Sequence, residues 1–155
     1  WRRRVRSKRL MASGSEVQIA TEARERLGAI GIGTRVVSVP CLDWFETQDA
    51  DYIQSVLPSS VPARVSVEAA IAQPWWRWLG SAGKPVSLEH YGASADAATL
   101  FREFGFTPEA TVEAAKASLA AAGKPASIST APNTAHMEHV GSDTGTATES
   151  GTQND

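Results

Sequence analysis

The sequence predicts an α/β fold, a three-layer α/β/α sandwich around a small, mainly parallel sheet. Short β-branched runs, TRVVSV, ARVSVE and PVSLE, alternate with stretches of helical periodicity. Strands and helices that alternate at this spacing form βαβ units, whose parallel strands are covered by helices on both faces. A strand-to-helix turn in LMASGSEV adds one further strand before the first helix.

That first strand is expected to be compromised. Residues 1–9, which precede its end, include six basic side chains. Strands of βαβ units are buried on both faces and nearly continuously apolar, and burial of one unpaired charge costs several kcal/mol. We therefore expect residues 1–9 not to supply the strand, and we expect marginal stability and aggregation through the open sheet edge.

The first helix is predicted to begin near Gly14. Ser13 and Glu16 stand three residues apart, as in a capping box, where the hydroxyl accepts a first-turn N–H and the carboxylate reaches back. Gly28 or Gly31 can end the helix through a left-handed backbone conformation. The apolar stripe of the helix consists of Val17, Ile19, Ala20, Ala23 and Leu27.

Helix-breaking and helix-capping residues predict the bounds of the remaining elements. TRVVSV, bounded by Pro40, predicts a buried strand, and CLDWFETQDADYIQSVLP predicts two short helical pieces. ARVSVE is the next strand, AAIAQPWWRWLG a helix that Pro74 kinks or divides, and PVSLE the last strand. DAATLFREF is a helix closed by Gly105. Thr107 and Pro108 then start the final helix, as N-cap and first helical residue.

Composition divides the chain into a basic non-domain arm (residues 1–9), one domain (residues 10–122) and a tail (residues 123–155). The tail has no aromatic residue and is rich in small and polar residues, so we expect it to be disordered. His136 and His139 in the tail have i, i+3 spacing. Without further ligands, they indicate adventitious metal binding at most.

Charge and cysteine content limit the partners and the compartment. Beyond residue 9 the chain carries 9 Lys and Arg against 17 Asp and Glu, and this acidic body disfavours nucleic acid. The basic arm could bind a phosphate backbone or an anionic membrane surface, but a solvated tail or a reading-frame artefact is the alternative we favour. No apolar run could cross a membrane. One cysteine and no recognisable export signal predict the cytoplasm.

Two places are candidates for a small ligand. The turn of Ser13, Gly14 and Ser15 presents backbone N–H groups at a helix N-terminus and could hold an anion or a regulatory ligand, although every capped helix after a strand offers a similar group. His90 follows a strand at its C-terminal end, where open α/β sheets place ligands. Cys41 has no base predicted beside it, so a packed thiol is the better interpretation.

Trp75, Trp76 and Trp78 indicate an interface. Adjacent helical positions point about 100° apart, so three tryptophans on one short helix cannot all face one core. At least one is expected to contact another chain or domain; the alternative is that they fold back on their own domain. No paired carboxylates, catalytic triad or metal-ligand set has diagnostic spacing. The residues alone thus predict a binding or structural domain, with no catalytic, cofactor-binding or metal-binding residue.

Four stretches together resemble the C-terminal domain of the transketolase family, in its actinobacterial form. They are MASGSEVQIATEAR, TRVVSVPCLDWFETQDADYIQSVLP, ARVSVEAAIAQPWWRWLG and SLEHYGASADAATLFREFGFTPEATVEAAKASL. The resemblance runs in order from residue 10 to about residue 121. The pairing of SGSEV near its start with LFREFGFT near its end is specific.

The resemblance implies a part of a transferase. Transketolases use thiamine diphosphate and Mg to move a two-carbon ketol unit between sugar phosphates in the pentose phosphate pathway. The family is homodimeric, and the cofactor binds between the first domain of one subunit and the middle domain of the other. The third domain packs against that body. This chain is therefore expected to have a docking role, to hold no cofactor, and to need the remaining domains or a chain carrying them.

One departure and one alternative accompany this interpretation. The family has an apolar strand before the SGSEV turn, whereas this chain has WRRRVRSKR. One hypothesis is a coding frame shifted or truncated upstream of Leu10, which the upstream DNA read in all three frames would test. The alternative function is a stand-alone binding module or the second component of a split transketolase. In either case, we expect no transketolase activity from the chain by itself.

Overall fold

Four parallel strands form one sheet in the computed structural model, which describes residues 8–123. The strand order is β2-β1-β3-β4, so β1 and β3 are central and β2 and β4 lie at the edges. The strands are β1 (Lys8–Ala12), β2 (Thr34–Ser38), β3 (Arg64–Val67) and β4 (Lys84–Val86). The predicted α/β fold with a small parallel sheet is confirmed.

Helices cover both faces of this sheet. They are α1 (Glu16–Ala29), α2 (Leu42–Glu46), α3 (Ala50–Val56), α4 (Trp76–Leu79), α5 (Ala97–Glu103) and α6 (Pro108–Ala122). Successive strand residues point to opposite faces. Leu10 and Val65 accordingly pack with α1 and α6, whereas Met11 and Val37 join a second cluster with α2 and α4. The three-layer arrangement follows from these two clusters.

The prediction of a compromised first strand was wrong. β1 begins at Lys8 and pairs with both β2 and β3. The Lys8 ammonium donates to the carbonyl oxygen of Ala115 on α6, and Arg9 Nε donates to the carbonyl oxygen of Val56 at 3.1 Å. Both cations occupy the first two positions of the strand. Their aliphatic stems can therefore be buried while their charged ends reach backbone acceptors.

The start of α1 also differs from the prediction. Its N-cap is Ser15, whose side chain makes no capping bond. The predicted capping box is wrong because the side chains of Ser13 and Glu16 bond to the segment after β3 instead. The predicted apolar stripe of α1 is confirmed, and Val17 is its partly buried member. Gly31, at φ 76°, follows the end of the helix, as one of the two predicted stops.

The other elements differ mainly in extent. The two helical pieces, α5 and α6 are confirmed, and the Thr107 hydroxyl caps α6 by accepting the N–H of Ala110. β2 is an edge strand with only Val37 buried, and not the predicted buried strand. β4 ends at Val86, which shortens PVSLE. Pro74 lies in a 3₁₀ turn that leads into α4, so it starts a short helix and does not kink a longer one.

Some predictions fall on residues 1–7 and 124–155, outside the described residues. Residues 1–7 of the basic arm, the predicted disordered tail from residue 124 and metal binding by His136 and His139 lie there and stay predictions, whereas Lys8 and Arg9 of the arm belong to β1. The domain boundaries also stay predictions. Within residues 8–123, no helix combines the length and apolar character needed to cross a membrane.

Candidate functional site at the C-terminal edge of the sheet

Three segments that follow β1, β3 and β4 meet at the C-terminal edge of the sheet. They are residues 13–15, residues 68–72 and residues 87–91. Strands of a parallel sheet all end at the same edge, and open α/β sheets bind ligands in the crevice there. The hydrogen bonds between these segments therefore determine whether this edge leaves a crevice open for a ligand.

A first carboxylate pair joins the turn after β1 to the segment after β3. Ser13 Oγ donates to Glu68 Oε2 at 2.5 Å. Glu16 Oε1 accepts the backbone N–H of Ala69 at 3.2 Å, and its other oxygen accepts the Ser15 hydroxyl at 3.0 Å. Glu16 is buried. Two acidic side chains thus lie at the N-terminus of α1, where the helix dipole stabilises negative charge.

These carboxylates occupy the turn predicted to hold an anion. Gly14 has φ 50°, a left-handed conformation that keeps the turn tight between Ser13 and Ser15. Negative charge next to this turn opposes the approach of a second anion. The anion or regulatory ligand expected at these three residues is not tested by the structure and stays a prediction.

A second carboxylate joins the segments after β3 and β4. Glu89 Oε1 accepts the Ser87 hydroxyl at 2.7 Å and the backbone N–H of Ala72 at 2.9 Å. The bond from Ser87, followed by that from Ala72, holds the pKa of Glu89 below its ordinary value. The N–H of Leu88 also donates to the carbonyl oxygen of Ala70 at 3.0 Å. The two segments are therefore fixed to one another.

His90 lies at the surface beyond this bridge. Its Nδ1 is 2.7 Å from the carbonyl oxygen of Tyr91, and its ring packs edge-on against Phe104 with centroids 5.1 Å apart. Within the described part of the chain, no hydrogen bond joins His90 to residues 13–15. The two predicted ligand positions are thus not linked by direct bonds.

The three tryptophans divide between core and surface. Trp75 and Trp78 are buried, and the Trp78 ring lies 4.7 Å from that of Phe45. Trp76 remains 52% exposed. A contact of Trp76 with another protein stays a prediction.

Sequence reasoning missed the bridging carboxylates and two exposed aromatic side chains. It interpreted Glu16 as a cap and gave Glu68 and Glu89 no role, although each of the latter two follows a strand at the ligand-binding edge. Trp44 is 74% exposed and Tyr91 is 98% exposed. No local pattern predicts that exposure, because it depends on which surfaces the rest of the domain covers.

A groove of about 450 Å³ lies beside the edge strand β2 and the residues that follow it. Its walls include Arg35, Val37, Cys41, Trp44, Gln48 and Tyr52. Cys41 is a partly exposed free thiol. Among residues 8–123, no three His, Cys, Asp or Glu side chains are grouped closely enough to hold a metal ion.

We expect Glu16→Ala to destabilise the domain by about 1–2 kcal/mol, because the buried Glu16 side chain and the hydrogen bond that it accepts from the Ala69 N–H are both lost. Glu16→Gln keeps one carbonyl oxygen and is expected to cost less than about 1 kcal/mol. Glu25→Ala, on the exposed face of the same helix, is the matched control. Urea unfolding measures the stabilities, and faster amide exchange at Ala69 in the alanine variant identifies the broken bond. An unchanged exchange rate at Ala69 would contradict the hydrogen bond between the Ala69 N–H and Glu16.

Comparison with known proteins places these features in a family. The family model described as the transketolase-like TK C-terminal domain matches residues 3–107. The transketolase of Mycobacterium leprae is 59% identical over 107 residues, which are 69% of this chain and 15% of that protein. The residues matched by the family model therefore include the bridged edge and all four strands of the sheet.

Solved structures give the same picture of the fold. The transketolase from Leishmania mexicana aligns with a TM-score of 0.64 and 38% identity, over 74% of this chain and 17% of that chain. A split-gene transketolase, described as an inactive beta4 tetramer, shares the fold with a TM-score of 0.54 and 18% identity, over 74% of this chain and 40% of its own. The present chain spans about a sixth of the Mycobacterium and Leishmania proteins that it matches.

Proposed function

The chain belongs to the transketolase family, whose C-terminal domain it matches, and from this premise we propose that it is the docking domain of a transketolase. In this role it packs against the cofactor-binding part of the enzyme, supports its dimer and takes no direct part in the chemistry. The completed enzyme is a cytoplasmic transferase of the pentose phosphate pathway, which moves a two-carbon ketol unit between sugar phosphates. Trp76 is the tryptophan that we expect at an interface.

The carboxylate bridges at the C-terminal edge carry this proposal. Ligands of open α/β sheets occupy the crevice between the segments at this edge. Here Glu16, Glu68 and Glu89 connect those segments and accept hydrogen bonds from the domain's own donors. An edge joined in this way favours a structural surface over a ligand-binding crevice.

Thiamine diphosphate and Mg are implied for the full-length family, but the described residues do not fit them. Residues 8–123 contain no grouped set of metal-ligating side chains. The carboxylates at the N-terminus of α1 would also repel a diphosphate. We therefore assign the cofactor and its metal to the remaining domains, and no catalytic step to these residues.

The split-gene transketolase that shares this fold supports a second candidate. In that version the chain is a stand-alone component that binds a separate chain carrying the cofactor domains. The docking surface would be the same, but the contact would form between two polypeptides.

The activity of the purified chain tests the first part of the proposal. With thiamine diphosphate, Mg²⁺ and pentose phosphates, we expect no ketol transfer, because residues 8–123 supply no set of side chains that fits the cofactor and its metal. Full-length M. leprae transketolase under the same conditions is the positive control. Measurable turnover by the chain alone would refute the docking role.

Complex formation tests the second part. The chain is expected to co-purify with M. leprae transketolase shortened by the C-terminal region that this chain matches. The full-length enzyme is the matched control, because its own C-terminal domain already covers the docking surface, and it should retain no chain. Equal retention by both proteins, or by neither, would argue against docking.

A further inference from the structure

We propose that the domain docks on the cofactor-binding part of a transketolase through one surface, formed by residues 68–72 after β3 and residues 87–98 after β4. The facing surface of the partner would have an apolar centre flanked by Lys or Arg. This inference rests on the proposed function and adds the face that is used and the chemistry of the partner. We call residues 68–72 and 87–98 the loop surface.

The loop surface exposes large apolar side chains. Tyr91 is 98% exposed and Ile71 is 49% exposed, and all ten residues from 89 to 98 are exposed. Burying one large apolar side chain contributes roughly 1.5–3 kcal/mol. Grouped exposed side chains of this kind mark protein interfaces, where aromatic residues are enriched.

This surface is nevertheless anchored by hydrogen bonds at both ends. Ile71 lies between Ala70 and Ala72, both of which bond to the segment after β4. At the other end, Asp96 caps α5 by accepting the N–H of Thr99 at 2.9 Å. A preorganised surface loses little conformational freedom when it binds. The segment that carries Ile71 is therefore fixed, and the segment that carries Tyr91 is anchored on both sides.

The charge of the loop surface indicates a basic partner. It carries Glu68, Glu89 and Asp96 and contains no Lys or Arg. Hydrogen bonds from Ser87 and from Thr99 hold the pKa values of Glu89 and Asp96, respectively, below their ordinary range, so both are ionised at neutral pH. Opposite charge on the facing surface would orient the partner and raise its association rate.

The groove beside β2 is the competing surface. Its Trp44 is 74% exposed, but the groove also contains Arg35. β2 and β4 form opposite edges of the sheet, so the two surfaces can be changed independently. Trp44 therefore supplies a control of similar size and exposure.

Calorimetric titration of the full chain into the shortened M. leprae transketolase tests the inference. The double variant with Ile71→Ser and Tyr91→Ser is expected to bind about tenfold more weakly or worse, since central apolar side chains dominate interface energies. Trp44→Ser should change the Kd less than about twofold. Circular dichroism confirms that each variant is folded. Binding of the unaltered chain should also weaken about threefold or more when NaCl is raised from about 50 to about 500 mM.

The outcomes separate the two levels of the proposal. If the unaltered chain does not bind, the docking role itself is refuted, and this inference with it. If it binds and the double variant binds equally well, or if Trp44→Ser is the change that weakens binding, the loop surface is the wrong face. Binding that is insensitive to salt would overturn the basic character assigned to the partner.

Discussion

Replacing Arg64 with methionine is expected to lower the free energy of unfolding by about 3–5 kcal/mol. This residue opens β3, and its guanidinium connects the end of α3 to α4 through four backbone carbonyl oxygens. The acceptors are those of Trp78 at 2.7 Å, Leu57 at 2.9 Å, Pro58 at 3.0 Å and Val61 at 3.1 Å. Methionine fills similar space but offers no donor, so these carbonyls lose a charge-assisted partner.

Two further variants isolate the role of the guanidinium. Arg64→Lys keeps the charge but lacks the planar fork, so we expect an intermediate loss. Arg35→Met removes an exposed arginine from the same cross-strand row, since Arg9 is in register with both Arg35 and Arg64, and should change stability by less than about 0.5 kcal/mol. Urea unfolding followed by tryptophan fluorescence measures all three. A loss below about 1 kcal/mol for Arg64→Met would show that water replaces the guanidinium without penalty.

Lys8→Met is expected to stabilise the domain at pH 7, by roughly 1–3 kcal/mol. Burial, with a smaller contribution from the nearby Lys116 charge, lowers the pKa of Lys8 from 10.5 to about 8. At pH 7 the side chain is protonated in both the folded and unfolded states, so the folded state bears the full cost of a buried charge. Methionine removes that cost and gives up one hydrogen bond, to the carbonyl oxygen of Ala115.

The pH dependence distinguishes this effect from simple repacking. Because the pKa of Lys8 is lower in the folded than in the unfolded state, the unfolded chain binds more protons between about pH 8 and pH 10.5. The stability of the unaltered chain should therefore rise relative to Lys8→Met across that range. Urea unfolding at pH 7, 8.5 and 10 gives the difference in stability between the unaltered chain and Lys8→Met. Lys84→Met, at an exposed position on β4, is the control, and its difference from the unaltered chain should not change with pH. A Lys8→Met variant that is less stable at every pH would contradict this account.

Elements specified by adjacent residues were predicted well. Thr107 and Pro108 start α6 through bonds and backbone angles within one turn, and Gly105, at φ 79°, separates it from α5. The β-branched runs likewise marked the strands, because their side chains suit a buried pleated surface. The family resemblance rested on such local stretches and was confirmed.

The errors arose where a polar group bonds to a distant part of the chain. Ser13 and Glu16 have the spacing of a capping box, yet Glu16 accepts from Ala69, which is 53 residues away. Lys8 was excluded from the first strand on the basis of its charge, but its acceptor on α6 is 107 residues away. A pattern of neighbouring residues contains no information about such partners. The carboxylate bridges of the candidate site were missed for the same reason, since they join three separate segments.

The central position of β1 has a consequence for how the domain folds during synthesis. The ribosome makes this strand first among the described elements, but the helix that accepts the Lys8 hydrogen bond is made last. At typical elongation rates, on the order of 10 s pass between the two. During that time Leu10 and its neighbours lack their covering helix, and contacts between distant segments form slowly because long loops must close. The nascent chain thus leaves this central strand without its α6 cover until α6 emerges, so chaperone binding in that interval would protect it.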